Sequence, residues 1–202
     1  MVVTNKNDYY SDLDNSIIGI DEVGRGALCG PVVSCALILH KNISQEKLFD
    51  TITDSKKLSE KKRLELSTII KKYSKFNIGI SDNMEIDKYN ILNATIFSMK
   101  RAYRKFENTK FKIKIDGLKT FELNDRTTFH IKGDQNSITI AAASIVAKVY
   151  RDDLMIKHSS DYPQYGWIRN KGYGTKEHIN AIQKFGISKH HRKSFIKNLN
   201  LS

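Results

Sequence analysis

The 202-residue chain holds only two cysteines, two prolines and one tryptophan. Cys29 and Cys35 stand six residues apart, which is no zinc-ligand spacing, and no complementary Cys/His set occurs elsewhere. They read as reduced, buried side chains, in keeping with a cytoplasmic protein. No apolar stretch approaches the ~18 residues of a membrane span, and the polar segment Met1–Asn15 lacks the hydrophobic core of a signal peptide. No internal repeat and no low-complexity linker divides the chain. Acidic residues are the remaining scarcity: 22 against 34 Lys and Arg, for a net charge of +12. That balance favours a polyanionic partner, without separating RNA, DNA and acidic lipid.

What acid there is lies at one end. Residues 1–40 carry two basic residues against five acids, whereas residues 161–202 carry eight against two. Such a division suits an enzyme that grips a polyanion with one region and attacks it with another.

The length and an apolar content of 40% predict one domain with a real core. Residues 1–16 read as a polar, frayed lead-in, 17–160 as the main domain and 161–202 as a small, basic helical extension. Strands are predicted over 17–22 and 30–39, joined by a short turn and therefore antiparallel. A short helix is expected at 44–50. A helix from about 60 to 72, capped by Ser59, has Leu64, Leu66, Ile69 and Ile70 on one face. Strands follow at 76–80, 111–117 and 129–134, with helices at 84–106 (broken near Tyr89), 137–158 and 176–185. The small residues of the 137–158 helix allow a neighbour to approach closely. The sum is one mixed α/β sheet with helices on its faces.

The chemistry gathers at Ile17-Ile18-Gly19-Ile20-Asp21-Glu22-Val23-Gly24-Arg25-Gly26, an apolar strand ending in two acids and a glycine-rich turn. Adjacent like charges at a strand end are costly unless a cation joins them. The bare pair also fits a strand-to-loop junction with two solvated acids. Two further predicted strands end in acid, at Asp116 and Asp134, and ligands of open α/β sheets sit beyond the carboxyl ends of strands. Either aspartate alone reads as a turn residue; as a set with Asp21 and Glu22 they suit two Mg²⁺ or Mn²⁺ ions acting on a phosphodiester. Gly24 and Gly26 let backbone approach a ligand as loop positions outside the core, and Arg25 can meet a phosphate.

This block resembles the signature of ribonuclease HII. The resemblance extends through Asp54-Ser55-Lys56-Lys57-Leu58, Ile115-Asp116-Gly117, Lys132-Gly133-Asp134, Ala142–Lys148 with Arg151-Asp152, Tyr165-Gly166, Lys171-Gly172-Tyr173 and His191–Phe195. It implies an RNase H-like fold with metal-binding carboxylates at Asp21, Glu22, Asp116 and Asp134. It also implies that Gly24-Arg25-Gly26 reads a ribose 2′-hydroxyl at an RNA-to-DNA junction, with Tyr173 packed on the deoxyribose that follows. The implied substrates are RNA–DNA hybrids and duplex DNA containing ribonucleotides, cut by a monomer. Ala27 and Gly174 stand where the family usually has proline, which is expected to loosen both loops. Ribonuclease HIII, with its sizeable N-terminal extension, fits less well, since sixteen residues precede Ile17.

Other readings stay open. Lys56 could hold a phosphate or merely solubilise the surface. His190-His191 lacks a third ligand for a metal, so backbone contact or plain surface is expected. Tyr173 could be loop packing, and Trp167 is expected in the core of the extension. The charge fits a non-catalytic duplex-binding module equally well, and the same fold could serve a DNA endonuclease or junction resolvase.

Overall fold

The computed structural model describes residues 6–13 and 17–197. Its elements run α1 (Lys6–Tyr10), β1 (Ile18–Val23), β2 (Val32–Leu39), α2 (Glu60–Lys72), β3 (Ser74–Ser81), α3 (Asn83–Tyr103), β4 (Ile113–Asp116), β5 (Thr127–His130), α4 (Ile138–Ser159), α5 (Trp167–Asn170), α6 (Lys176–Phe185) and α7 (Lys193–Ile196). The strands form one mixed sheet in the order β3-β2-β1-β4-β5. β1 and β2 form the expected antiparallel pair, β3 extends it, and β4 and β5 run parallel to β1.

Strand alternation sorts the core onto two faces. Ile18 and Ile20 of β1 and Ile113 and Ile115 of β4 pack with Met99, Ala102 and Phe106 from α3 and the turn after it. Cys35, Leu37 and Leu39 of β2 pack on the other face with Leu66 and Ile70 of α2 and the small residues of α4. Gly19 faces α4 so closely that a Cβ there would lie 2.3 Å from the backbone of Thr139. This is the close approach that the Ala141–Ala143 run predicts, and it seats α4 directly across the end of β1.

Local signals account for most boundaries. Ser59 caps α2 by accepting from the Lys62 amide. Asp82 and Glu85 form a capping box at the start of α3, which breaks at Asn90 (φ 66°), next to the expected site. Leu64, placed with the apolar face of α2 by its spacing, is instead exposed. The helix expected at 44–50 is two short 3-10 turns, Lys41–Gln45 and Phe49–Thr51.

Two departures matter for the site. The fifth strand stops at His130, because Lys132 turns left-handed (φ 55°), so Asp134 lies in a 3-10 turn before α4 and not at a strand end. The lead-in is not frayed over residues 6–13. Tyr9 donates to the Ile52 carbonyl and Tyr10 stacks on Phe49. Asp12 is buried, taking an ion pair from Lys114 at 2.6 Å and hydrogen bonds from Ser137 and Thr139 at the start of α4.

Candidate active site

β1 and β4 are adjacent, parallel and in register, with Ile20 opposite Ile115. The next residue on each strand is an aspartate, so Asp21 and Asp116 point to the same face, toward α4. Glu22, one residue on, starts toward the α3 face and reaches back around the strand end. The turn at Gly133–Gln135 delivers Asp134 from a different direction. All four carboxylates line one cavity of about 460 Å³, together with Gly24, Arg25, Gly26, Ser55, Lys56, Ser144, Lys148 and Tyr173. Every residue expected at the site is therefore brought to it, including Lys56, whose side chain is exposed.

The acids are electrostatically uncomfortable as they stand. Burial, and then the charges of Glu22 and Asp116, push the Asp21 carboxyl well above the usual carboxylate range. Glu22 is raised mainly by burial, against the pull of Arg25. Asp134 is raised to about 6 by burial and by the charges of Asp54 and Asp116. Asp116 is anchored by the Gly133 amide at 2.6 Å. Asp21 accepts from the Glu22 amide at 2.6 Å, and Ser144, which also bonds Ser55, supports it from α4. Among the described residues, no three Asp, Glu, His or Cys side chains already converge as metal ligands do. The all-oxygen donor set nevertheless fits a hard divalent cation, and two such charges would relieve what raises these carboxyls.

The glycine-rich turn is held from beneath by two arginines that sequence reading missed. Arg151, fully buried on α4, donates to the carbonyls of Pro31, Lys171 and Cys29, each at 2.9 Å. Arg192, equally buried, donates to Gly30, Arg25 and Gly24. Both lie inside motifs that the sequence displays. An arginine in a basic stretch reads as a phosphate contact, and no local signal marks one that turns inward. The turn is consequently not loosened by Ala27. That residue is buried and pairs with Tyr173, while the Leu28 amide donates to Gly172. Gly174 does not leave its loop adrift either, since Tyr173 and Thr175 are tied by backbone hydrogen bonds to Asn170 and Tyr173 respectively.

The two glycines of the turn differ. Gly26 faces open space, whereas Gly24 has φ +94° and is buried against Arg151. It is not a position outside the core. The Tyr173 ring is half-buried and flanked by Arg151 at 5.2 Å and Lys148 at 5.5 Å. Lys148 is a further cavity-lining cation, paired with Asp152 at 2.7 Å. Arg25 is half-exposed and reaches Glu22 at 3.3 Å. Trp167 is fully buried, as expected. His191 is neither surface nor metal ligand: it is buried against His178, while its neighbour His190 stacks on His158.

A family model described as Ribonuclease HII matches residues 18–198, nine-tenths of the chain. The chain belongs to the ribonuclease HII family. A ribonuclease HII of Ehrlichia chaffeensis is 47% identical over 180 residues, covering 89% of this chain and 85% of the relative, and one of Pelagibacter ubique is 48% identical over 89% and 95%. Ribonuclease HII membership makes the chain a metal-dependent endoribonuclease. The fold agrees. A ribonuclease HII from Archaeoglobus fulgidus, solved in complex with PCNA, superposes with a TM-score of 0.74 at 22% identity, over 92% of this chain and 96% of that one. Bst-RNase HIII in complex with Mn²⁺ gives 0.67 at 18% identity, over 91% and 62%. Among the described residues, no helix is long and apolar enough to cross a membrane.

Proposed function

We propose that this ribonuclease HII hydrolyses the RNA strand of RNA–DNA hybrids and cuts duplex DNA on the 5′ side of embedded ribonucleotides, leaving 3′-hydroxyl and 5′-phosphate ends. Its roles would be ribonucleotide excision and RNA primer removal, carried out by a monomer. The observation that carries the reading is the single cavity joining four carboxylates to the Gly24-Arg25-Gly26 turn and Tyr173. Asp21, Glu22, Asp116 and Asp134 would hold two divalent ions, Mg²⁺ or Mn²⁺. Bound there, such ions activate water and neutralise charge on the phosphodiester.

The remaining work belongs to the chain. Ser144 and the Glu22 and Gly133 amides orient Asp21 and Asp116, so that few rotamers remain to be chosen when a cation binds. The Arg25–Glu22 pair is partly exposed and thus worth little. An incoming phosphate can compete with Glu22 for Arg25, which would leave the Glu22 carboxylate available as a ligand. The carbonyls of Gly24 and Arg25 are held by Arg192, which fixes the two peptide planes that flank Arg25, the second of which carries the Gly26 amide. With no side chain at Gly26, those backbone groups can come within about 3 Å of a sugar. The 2′-hydroxyl is what distinguishes ribose from deoxyribose, and Tyr173 offers an aromatic face to the next sugar. Lys56 and Lys148 would meet flanking phosphates.

The test uses end-labelled duplexes carrying one ribonucleotide, four ribonucleotides or a full RNA strand, with Mg²⁺ or Mn²⁺. Cleavage 5′ of the ribonucleotide is expected for all three. Folded protein that cuts none with either ion refutes the proposal, and equal cutting of an all-DNA duplex would reassign it as a DNA endonuclease.

A further inference from the structure

The two elements assigned above to sugar recognition come from stretches nearly 150 residues apart. Besides the Ala27–Tyr173 bridge and Arg151, which packs under Gly24 and beside the Tyr173 ring, the dipeptide His191-Arg192 links them, touching the turn directly and Tyr173 through His178. Arg192 donates to the carbonyls of Gly24 and Arg25 at 2.7 and 2.9 Å. Its neighbour His191 reaches His178 at 3.1 Å, and His178 reaches the Tyr173 carbonyl at 3.0 Å.

One placement of protons serves every contact of this wire, with the single lone pair of His178 Nε2 shared between two donors. The Tyr173 carbonyl can only accept, so His178 Nδ1 carries hydrogen. His178 Nε2 is then bare and accepts from the indole Nε1–H of Trp167, at 3.0 Å. His191 Nδ1 accepts from the Ser188 amide at 2.8 Å, so its hydrogen sits on Nε2 and points at His178. Both rings are neutral, in keeping with burial lowering each pKa, that of His191 to about 4. All of these imidazole nitrogens are used within the protein, which leaves none for a metal.

We infer that His191-Arg192, acting through His178, is a positioning device that sets the distance between the Gly24–Gly26 turn and Tyr173, and thereby the preference for an RNA–DNA junction. The inference rests on the proposed function. His178 touches no substrate; it acts through Tyr173. Its loss should lower selectivity at junctions more than it lowers hydrolysis within a long RNA tract.

The experiment compares kcat/KM on a single-ribonucleotide duplex with kcat/KM on a uniform hybrid. In H178N the amide nitrogen takes the place of Nδ1 and can still donate to Tyr173. In H178Q the amide lies near Nε2 and cannot. H178Q breaks the wire at Tyr173 and H178N breaks it at His191, so each should lower the junction-to-tract ratio about fivefold, the worth of one buried hydrogen bond. In a Y173A background H178Q should have no further effect, which a general loss of stability would not reproduce. An unchanged ratio in folded H178Q, or an equal drop on top of Y173A, overturns the inference. If H178Q fails to fold, ¹⁵N-histidine NMR of the parent decides the wiring: His178 must be the Nδ1–H tautomer and His191 the Nε2–H tautomer, and the reverse assignment overturns it. A parent that cleaves no ribonucleotide-containing duplex refutes the proposed function instead, and the tautomers still judge the wire.

Discussion

Replacing Gly24 or Gly26 by alanine should give two different defects, although the residues are two positions apart. At Gly24 the backbone has φ +94°, where an added Cβ costs roughly 1–2 kcal/mol. That Cβ would also sit 2.2 Å from Arg151 Nε and 2.8 Å from the Pro31 carbonyl. The guanidinium cannot simply swing away, because all three of its hydrogen bonds go to fixed carbonyls. Pulling Nε off Pro31 leaves a buried donor unpaired, at about 1–3 kcal/mol. Gly24→Ala should therefore lose ~2–5 kcal/mol, a large part of the ~5–15 kcal/mol available to a domain. At Gly26 a Cβ meets nothing within 4 Å. Gly26→Ala should unfold within ~0.5 kcal/mol of the parent yet cleave a single-ribonucleotide duplex about tenfold more slowly, because the new methyl would stand where the proposed function brings the sugar. Denaturant melts in EDTA measure the first effect and single-turnover cleavage the second. Equal stability of the two variants would refute the packing account, and parental cleavage by Gly26→Ala would refute the sugar-reading account.

Asp116→Asn should abolish metal-dependent cleavage, with duplex binding in EDTA largely kept; activity within about threefold of the parent at low metal would remove Asp116 from the site. The metal-free protein should lose stability as pH rises through the range from about 4 to about 6. Asp134 is held neutral in the fold up to about 6, so the stability it contributes is full below its unfolded pKa of about 4 and gone above 6. Asp134→Asn should flatten that part of the slope in denaturant melts across this range, and an unaltered slope would contradict the assignment. Arg25→Lys should retain partial activity and a nearly parental dependence of binding on salt, since one phosphate contact remains; complete loss would mean that the planar guanidinium does more than meet a phosphate.

How far the sequence could be read depended on whether a residue's role was set by its neighbours in the chain. Asp21 and Glu22 were legible because an apolar strand stops at them, and the break in α3 because the pattern falters near Tyr89. Asp134 reaches the cavity by another route than the one expected: 129–134 reads as a strand ending in acid, with a turn at Gly133-Asp134 as the alternative, and it is the left-handed Lys132 that ends the strand early. Arg151 and Arg192 were invisible as supports, since counting charge treats every arginine as surface and only tertiary contact shows that each satisfies three carbonyls. Leu64 was misassigned for the opposite reason, its spacing obeying a face that the fold leaves open.

Asp12 gives the lead-in a bearing on catalysis. Its carboxylate is the acceptor for Ser137 and Thr139 and the partner of Lys114, so it ties the first turn of α4 to β4. The turn that carries Asp134 lies immediately before Ser137, and Asp116 ends β4 two residues after Lys114. Detachment of residues 6–13 would be a sub-global opening that releases both ends of this knot together, and amides near Gly133 and Ser137 would exchange with solvent in step with those of the lead-in. With Asp116 and Asp134 holding ions as proposed, the affinity of the cleft for them would be coupled to docking of the lead-in, and each cation bound would, by mass action, help to keep residues 6–13 in place.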